Sequence, residues 1–332
     1  MLVTRINSLN NQKILISPLN WGFGHVSRTI PIIKQLLKQN NEIIICCSTE
    51  QEVFYRNYFP QLWYVPFRDY PFVFTGKGNW INDIFKTLVE LQKFITWEKK
   101  QVSKLVDQFD PDVIISDQRF GFRNQKVKSI IITHQVNFQL PWWAQLANFL
   151  NRQQLRKFNE VWIPDNPDRS LSGQLSKWKN KRVHFVGCQS RLKQRNNSAK
   201  LYKYKYLGIV SGPQPYSNQL ADQLIQVLGT SSYTTAILSQ QTISKECGKC
   251  VIYKGDNQQE IQQLFDESEI LISYAGYSTL MDLSVIQKKA ILIPTPGQSE
   301  QKYLSTHHLN HLDWKFVTSL GEIQIEKCNE KE

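Results

Sequence analysis

The stretch that decides the fold is Ile270-Leu271-Ile272-Ser273-Tyr274-Ala275-Gly276-Tyr277-Ser278-Thr279-Leu280-Met281-Asp282. A short apolar run, Ile270–Ser273, ends in a turn of small residues at Ala275-Gly276, and a helical pattern begins at once. In an open parallel sheet, ligands bind outside the carboxyl ends of the strands. The first N–H groups of a helix placed there face an anion, and the helix dipole adds about 0.3–1 kcal/mol. Gly276, Ser278 and Thr279 stand where those N–H groups gather. Asp282 lies about one turn further on, where a carboxylate accepts from vicinal hydroxyls such as those of ribose. A plain capping role for Ser278 is the competing reading.

Working outward, the same strand–loop–helix unit recurs along the chain, which predicts an α/β fold with parallel sheets. In the first half the expected strands are Lys13–Ser17, Glu42–Ser48, Asp112–Ser116, Ser129–Thr133 and Val161–Pro164. Helices are expected over Val26–Gln39, Asn82–Gln108 and Pro141–Phe158. The second half restarts with strand Tyr206–Ser211 and helix Ser217–Leu228, and runs on through helix Glu300–Leu309. Each half predicts its own Rossmann-like sheet: residues 1–165 and residues 206–315, with a connector over 166–205 and a tail over 316–332. From Arg169 to Lys205 the connector holds eleven Lys or Arg and no acidic residue. That run reads either as a solvated linker or as a basic rim that draws in an anion.

Three further loops fall at strand ends. The first strand runs into Pro18-Leu19-Asn20-Trp21-Gly22-Phe23-Gly24-His25. Gly22 and Gly24 permit a tight turn, and His25 at a helix start tends to stay neutral and to accept a proton. The loop lacks the third glycine of a dinucleotide fingerprint and the Gly-Lys-Ser/Thr of a Walker loop. Asp117 and Arg119 follow a later strand, and His134 follows the next, so these residues form the expected floor of an acceptor pocket. In the second half, Ser211-Gly212 and Gln298, Glu300 and Gln301 follow strand ends at one edge, and Glu300 and Gln301 carry groups that suit sugar hydroxyls. Asp110-Pro111-Asp112 resembles a metal-binding DxD but precedes its strand, so it reads as a turn.

Composition narrows the classes. The 332 residues are 41% hydrophobic and 20% charged, which excludes disordered, collagen-like and coiled-coil chains. The net charge of +12 would suit a nucleic-acid binder, but no recognition-helix, zinc or RNP-type motif accompanies it, so no nucleic-acid partner is expected. Met1–Asn7 has no apolar run of signal-peptide length, and the uncharged stretch Ser129–Asn151 is too rich in Asn and Gln to span a membrane. Six cysteines without a regular framework point to reduced thiols in the cytoplasm, and Cys247-Gly248-Lys249-Cys250 stands without a second pair for zinc. Gln139–Leu150, with Trp142 and Trp143, reads as a buried helix or as a segment dipping into a membrane interface beside Arg152, Arg156 and Lys157; Pro71–Phe74 would join the latter.

These motifs resemble the GT-B glycosyltransferases of family 28, the MurG-type N-acetylglucosaminyltransferases. The resemblance rests on Gly22-Phe23-Gly24-His25 with Arg28, on Ala275–Thr279 with Asp282, and on Pro294–Gln301 with Tyr303. It implies two Rossmann-like domains facing across a cleft, the N-terminal one binding acceptor and the C-terminal one a UDP-sugar. It implies inversion at the anomeric carbon with no essential metal and no cofactor besides the UDP-sugar substrate. His25 is the first candidate for the base or for the group that positions the acceptor, and Asp117 the second. Gly22, Gly24, Arg28, Arg119 and His134 are the candidate acceptor residues. Ser211, Gly212, Gly276, Ser278, Thr279, Asp282, Gln298, Glu300 and Gln301 are the candidate donor residues. The family's helix-borne Glu is Asp282 here and its second tandem Gln is Lys302, which implies a branch distinct from the peptidoglycan enzyme. The expected acceptor is a glycan or a lipid-linked hydroxyl, and the expected location is the cytoplasm at the inner face of a membrane. A non-catalytic nucleotide-sugar-binding subunit and a UDP-sugar epimerase are the alternatives.

Overall fold

The computed structural model describes residues 4–78, 80–140, 142, 145–194, 201–239, 250–255, 257–323 and 325. Two compact units are present: Met1–Val73 with Trp80–Arg191, and Phe74–Asn79 with Leu192–Glu332.

The first unit contains strands β1 (Lys13–Pro18), β2 (Glu42–Cys47), β3 (Trp63–Pro66), β4 (Val113–Asp117), β5 (Lys128–Ile132), β6 (Glu160–Ile163) and β7 (Val183–Phe185). Its helices are α1 (Thr4–Asn7), α2 (Phe23–Leu37), α3 (Thr49–Arg56), α4 (Trp80–Lys86), α5 (Leu88–Phe109) and α6 (Leu146–Leu155). The strands are parallel in the order β3-β2-β1-β4-β5-β6-β7. Both faces of the sheet are covered, so its central strands are apolar until their carboxyl ends, where Ser17, Ser116 and Asp117 stand. Ile14 and Ile16 join a core with Val26, Ile30 and Ile33 of α2. Leu15, between them, points to the opposite face with Val102 and Leu105 of α5. Burying each such side chain contributes about 1.5–3 kcal/mol.

The second unit contains β8 (Tyr204–Ile209), β9 (Thr235–Leu238), β10 (Val251–Tyr253), β11 (Ser268–Tyr274), β12 (Lys289–Ile293) and β13 (Trp314–Phe316). Its helices are α7 (Tyr216–Leu228), α8 (Gln258–Asp266), α9 (Tyr277–Ile286) and α10 (Ser299–His307). These strands are parallel too, in the order β10-β9-β8-β11-β12-β13. In each sheet the order reverses beside its first strand, at β1/β4 and at β8/β11. Loops leaving such a pair run to opposite faces and open a crevice at the carboxyl edge.

Several expectations change. The boundary between units falls at Arg191 and Leu192, because β7 extends the first sheet by pairing with β6. Much of the presumed connector is therefore part of a domain, although residues 195–200 lie outside the described set. Phe74–Asn79, expected with the N-terminal half, belongs to the second unit. The tail reading holds no further than Val317 and Leu320, both buried; residues 326–332 lie outside the described set. The single helix expected over Asn82–Gln108 is two, α4 and α5, separated at Thr87, whose hydroxyl donates to the Ile84 carbonyl. Residues 247–249 of the CxxC, and Pro141, Trp143 and Ala144, lie outside the described residues.

Candidate functional site

The first unit gathers one polar cluster at its switch point. β1 delivers the chain to Gly22, whose φ of 75° is open chiefly to glycine, and α2 starts at the next residue. His25 and Arg28 are three apart on α2 and so share a face. Asp117 ends β4 directly beside Pro18 of β1 and Ile132 of β5, and His134 follows β5 by two residues. His25 Nδ1 lies 2.9 Å from Asp117 Oδ2. The Arg28 Nε–H donates to both carboxylate oxygens, at 3.1 and 3.0 Å, and Nη2 makes a further short bond to Oδ1. Arg28 Nη2 is also 2.8 Å from His25 Nδ1, and Nη1 is 3.3 Å from His134 Nδ1.

Electrostatics follow from this crowding. The Asp117 side chain has no exposed surface, whereas that of His25 retains 13%. Burial first, and then the Arg28 charge, hold His25 below its ordinary value of 6.5, against the opposing pull of Asp117. Burial pushes Asp117 upward, but Arg28 and His25 outweigh it and keep the carboxyl below its usual range. The result is a neutral imidazole beside an ionised carboxylate, the pairing required of a histidine base and its orienting acid.

One expectation about this cluster is corrected. Arg28 is 1% exposed and all three of its guanidinium nitrogens have partners inside the protein, so it is enclosed by its own chain rather than open to an acceptor molecule. Asp117, the second candidate, has no exposed side-chain surface and faces His25 Nδ1. Arg119 is corrected likewise. It is fully buried, pairs with Glu98 at 2.7 Å, and donates to the carbonyls of Pro18 and Arg68. Glu98 also accepts from Tyr70 Oη at 3.0 Å and from the Gly121 N–H at 2.8 Å. This network staples α5 to the loop after β4 and so fixes the position of Asp117. Burial raises Glu98 above its ordinary value, and the Arg119 charge only partly offsets that.

Residues that sequence reasoning missed lie close by. Asn20 donates to Asp69 Oδ2 at 2.8 Å, and burial raises the Asp69 carboxyl. Asp69 follows β3, a strand too short to be foreseen. The sequence signal that was available is Trp63-Tyr64-Val65, an aromatic and β-branched run.

In the second unit, the loops after β8, β11 and β12 converge at the carboxyl edge. Ser211 Oγ is 3.1 Å from Ser273 Oγ, and Gly212 has φ 94°. Gly276 is the N-cap of α9 and offers no side-chain acceptor to the first-turn N–H groups of the helix. Ser278, Thr279 and Asp282 lie on that helix and are each partly exposed. Gln298 is the N-cap of α10, and Glu300 is partly exposed in its first turn. Gln301 plays a different part from the one expected. It is 6% exposed, and its Oε1 accepts from the Thr295 N–H at 2.8 Å and the Thr295 hydroxyl at 3.0 Å. It braces the loop after β12 and spends its carbonyl doing so. The Phe74–Asn79 segment completes this edge. Gly78 N–H donates to Tyr216 Oη at 3.0 Å, and Gln219 Nε2 donates to the Gly76 carbonyl at 3.2 Å. Gly297, at φ 78°, packs so closely on Gly78 that a Cβ would lie 2.8 Å from the Gly78 Cα. Among the described residues, no group of three or more His, Cys, Asp or Glu is arranged to hold a metal ion.

Comparison with known proteins bears directly on this second edge. The glycosyltransferase family 28 C-terminal domain matches residues 209–312, the span that carries the loops after β8, β11 and β12. The chain is a glycosyltransferase of the GT-B fold. The glycosyltransferase is similar to Arabidopsis thaliana UGT89C1 complexed with UDP-L-rhamnose, at 13% identity and a TM-score of 0.63, covering 93% of this chain and 85% of that one. It is similar to Acinetobacter baumannii MurG, at 14% identity and a TM-score of 0.53, covering 92% and 85%. It is also similar to the spinosyn rhamnosyltransferase SpnG complexed with thymidine diphosphate, at 11% identity and a TM-score of 0.55, covering 92% and 86%. Identities this low establish a shared fold. No curated protein matches the sequence. No helix among the described residues of the glycosyltransferase is long and apolar enough to cross a membrane.

Proposed function

We propose that this glycosyltransferase inverts the anomeric carbon, moving a sugar, with N-acetylglucosamine one candidate, from a UDP-sugar to a hydroxyl of a glycan or lipid-linked acceptor. The observation that carries the reading is the His25–Asp117 pair, in which Nδ1 faces the carboxylate and so leaves Nε2 for the acceptor. Nε2 takes the hydroxyl proton while the oxygen attacks the sugar C1. The bond from C1 to the diphosphate oxygen breaks, and its electron pair leaves with UDP. The proton then passes from the imidazolium to solvent. Such general-base assistance contributes 10²–10⁴-fold. The α9 N-terminus at Gly276–Thr279, capped by a residue without a side chain, suits the diphosphate charge that develops on departure. Asp282 and Glu300 are the candidates for hydroxyls of the donor, and Gln298 with Ser211 and Gly212 line the same edge.

The lipid-linked choice of acceptor draws support from α6. Leu146, Phe149 and Leu150 of α6 are 67%, 54% and 54% exposed and lie on one helical stripe, and Trp142, ahead of the helix, is 86% exposed. Arg156 and Lys157 are exposed just beyond it. An exposed apolar stripe with adjacent basic residues suits the interface of an anionic membrane. Pro71–Phe74 contributes less than expected: Phe72 packs on Trp21 at 4.7 Å and Phe74 is buried, so of its aliphatic and aromatic side chains Val73 alone is strongly exposed.

The test measures UDP release from a panel of UDP-sugars with short glycans and with polyprenyl-linked sugars as acceptors. Release that depends on both donor and acceptor supports the reading. Binding of UDP without turnover on any acceptor favours the non-catalytic subunit, and absence of UDP binding overturns the proposal. Flotation with anionic liposomes tests the membrane contact: binding lost in a Trp142→Ser/Phe149→Ser variant supports it, and no binding at low salt removes it.

A further inference from the structure

Resting on the reading of His25 as base, we propose that Arg28 is a positioning residue for the transfer: by sharing the Asp117 carboxylate with His25, its guanidinium governs how much of the imidazole presents an unprotonated Nε2.

The argument is one of hydrogen counting. A guanidinium carries only donors and is never deprotonated in a protein. Any histidine nitrogen that bonds to it must therefore lack a hydrogen. At His25 Nδ1 two demands meet, because Asp117 Oδ2 stands 2.9 Å away and requires a hydrogen there, while Arg28 Nη2 stands 2.8 Å away and requires a lone pair. A neutral imidazole holds one ring hydrogen, so the two bonds exclude each other. With Nδ1–H donating to Asp117, Nε2 is a base. With Nδ1 accepting from Arg28, the hydrogen moves to Nε2, which then donates and cannot take a proton.

Arg28 weights this choice in two ways. Its Nε–H and Nη2–H groups already load both oxygens of Asp117, which weakens the carboxylate as a partner for His25. Its charge also opposes the imidazolium that forms after proton transfer. The groups facing His25 are Arg28 from α2, Asp117 from β4 and His134 from the loop after β5. Arg28 Nη1 also lies 3.3 Å from His134 Nδ1, which ties the third ring of the cluster to the same guanidinium. The arrangement keeps the base neutral and free to act in mildly acidic solution. The cost is that part of the population holds the inactive tautomer.

The experiment is a pH titration of the full chain labelled with ¹⁵N-histidine, following the ring nitrogens of His25 assigned with His25→Gln. It needs neither donor nor acceptor, so a failure of the transferase reading leaves its outcome intact. In the wild type, His25 should titrate below 6.5 and show both neutral tautomers. In Arg28→Gln the titration should move upward, with the Nδ1–H form dominant. Arg28→Lys, which keeps the charge but loses the fork, should fall between them. If turnover is detectable, the acid limb of kcat/KM should move upward in step. Wild-type His25 titrating above 6.5, or in a single tautomer with hydrogen on Nδ1, overturns the proposal even if Arg28→Gln does not fold. Titration unchanged in both folded variants overturns it as well.

Discussion

His25 Nδ1 lies 2.9 Å from Asp117 Oδ2, although 92 residues separate the two in the chain. The contact exists because α2 begins immediately after β1 and because β4 lies in register beside β1, bringing Pro18 opposite Asp117. A helix start and a strand end thereby meet at one edge of one sheet.

Replacing His25 by Ala should lower kcat/KM by about 10²–10⁴-fold while leaving the Kd for UDP within twofold. Asp117→Asn should produce a loss of similar order, since the amide donates where the imidazole must donate. Steady-state kinetics with isothermal titration of UDP check both. Turnover in His25→Ala near that of the wild type would remove it as base.

The pH dependence has a definite sign. His25 is held below 6.5 in the folded chain, so the folded form resists a proton that the unfolded chain accepts. Its contribution to stability is present above 6.5 and is lost as the pH falls through the lower folded value. Asp117, also depressed, loses its contribution only in more strongly acidic solution, below its ordinary 3.8. Tm recorded from pH 8 to pH 5 should decline toward acid, with a shallower slope in His25→Gln.

The Glu98–Arg119 pair should behave as a buried ion pair with a single acceptable partner. Glu98→Ala strands the guanidinium and should cost about 3–5 kcal/mol. The double variant Glu98→Leu/Arg119→Met should cost less than the sum of its two single changes. Urea unfolding of the four proteins measures the coupling; strict additivity would contradict the network.

Gly297→Ala should destabilise the second unit, by about 1–2 kcal/mol from the positive φ and more from the Gly78 backbone that its Cβ would meet. Gly321→Ala, with its nearest neighbour 3.7 Å from the added carbon and no positive φ, should leave Tm unchanged. Differential scanning calorimetry separates them.

Burial pushes the Cys46 thiol up to about 12 and the neighbouring Cys47 higher still. Neither should be alkylated in the native chain at pH 8, whereas both should react in denaturant. Mass mapping after iodoacetamide treatment reads this directly.

Legibility in the sequence varied with the kind of signal. The central strands were plain because both sheets are covered on two faces, which leaves uninterrupted runs such as Ile43-Ile44-Ile45. The edge and short elements were not. β3 and β13 have four and three residues, too few for a period to show. Helix α3 had a readable start that went unused: Ser48 and Gln51 form a reciprocal capping box. Of the candidate site, the residue types at the strand ends were visible, since a loop after a parallel strand is where such side chains gather. Their division of labour was not. Arg28, Arg119 and Gln301 carry groups that suit a ligand, yet both guanidinium groups and the Gln301 carbonyl bond to the protein itself.

The sequence by itself determined the alternation of strand and helix, the duplication of a Rossmann-like sheet and the family 28 pattern over 209–312, because periodicity and local turn chemistry act between near neighbours. The tertiary structure alone decided which polar groups face outward and which face one another. It set Arg28 against Asp117, gave Arg119 to Glu98, and assigned Phe74–Asn79 to the second unit. Those pairings depend on burial and on contacts across 20 to 140 residues, such as Glu98–Arg119 at a separation of 21 and Gly78–Tyr216 at 138. A buried charge must find its partner wherever the packed chain brings one, and no local pattern in the sequence records where that is.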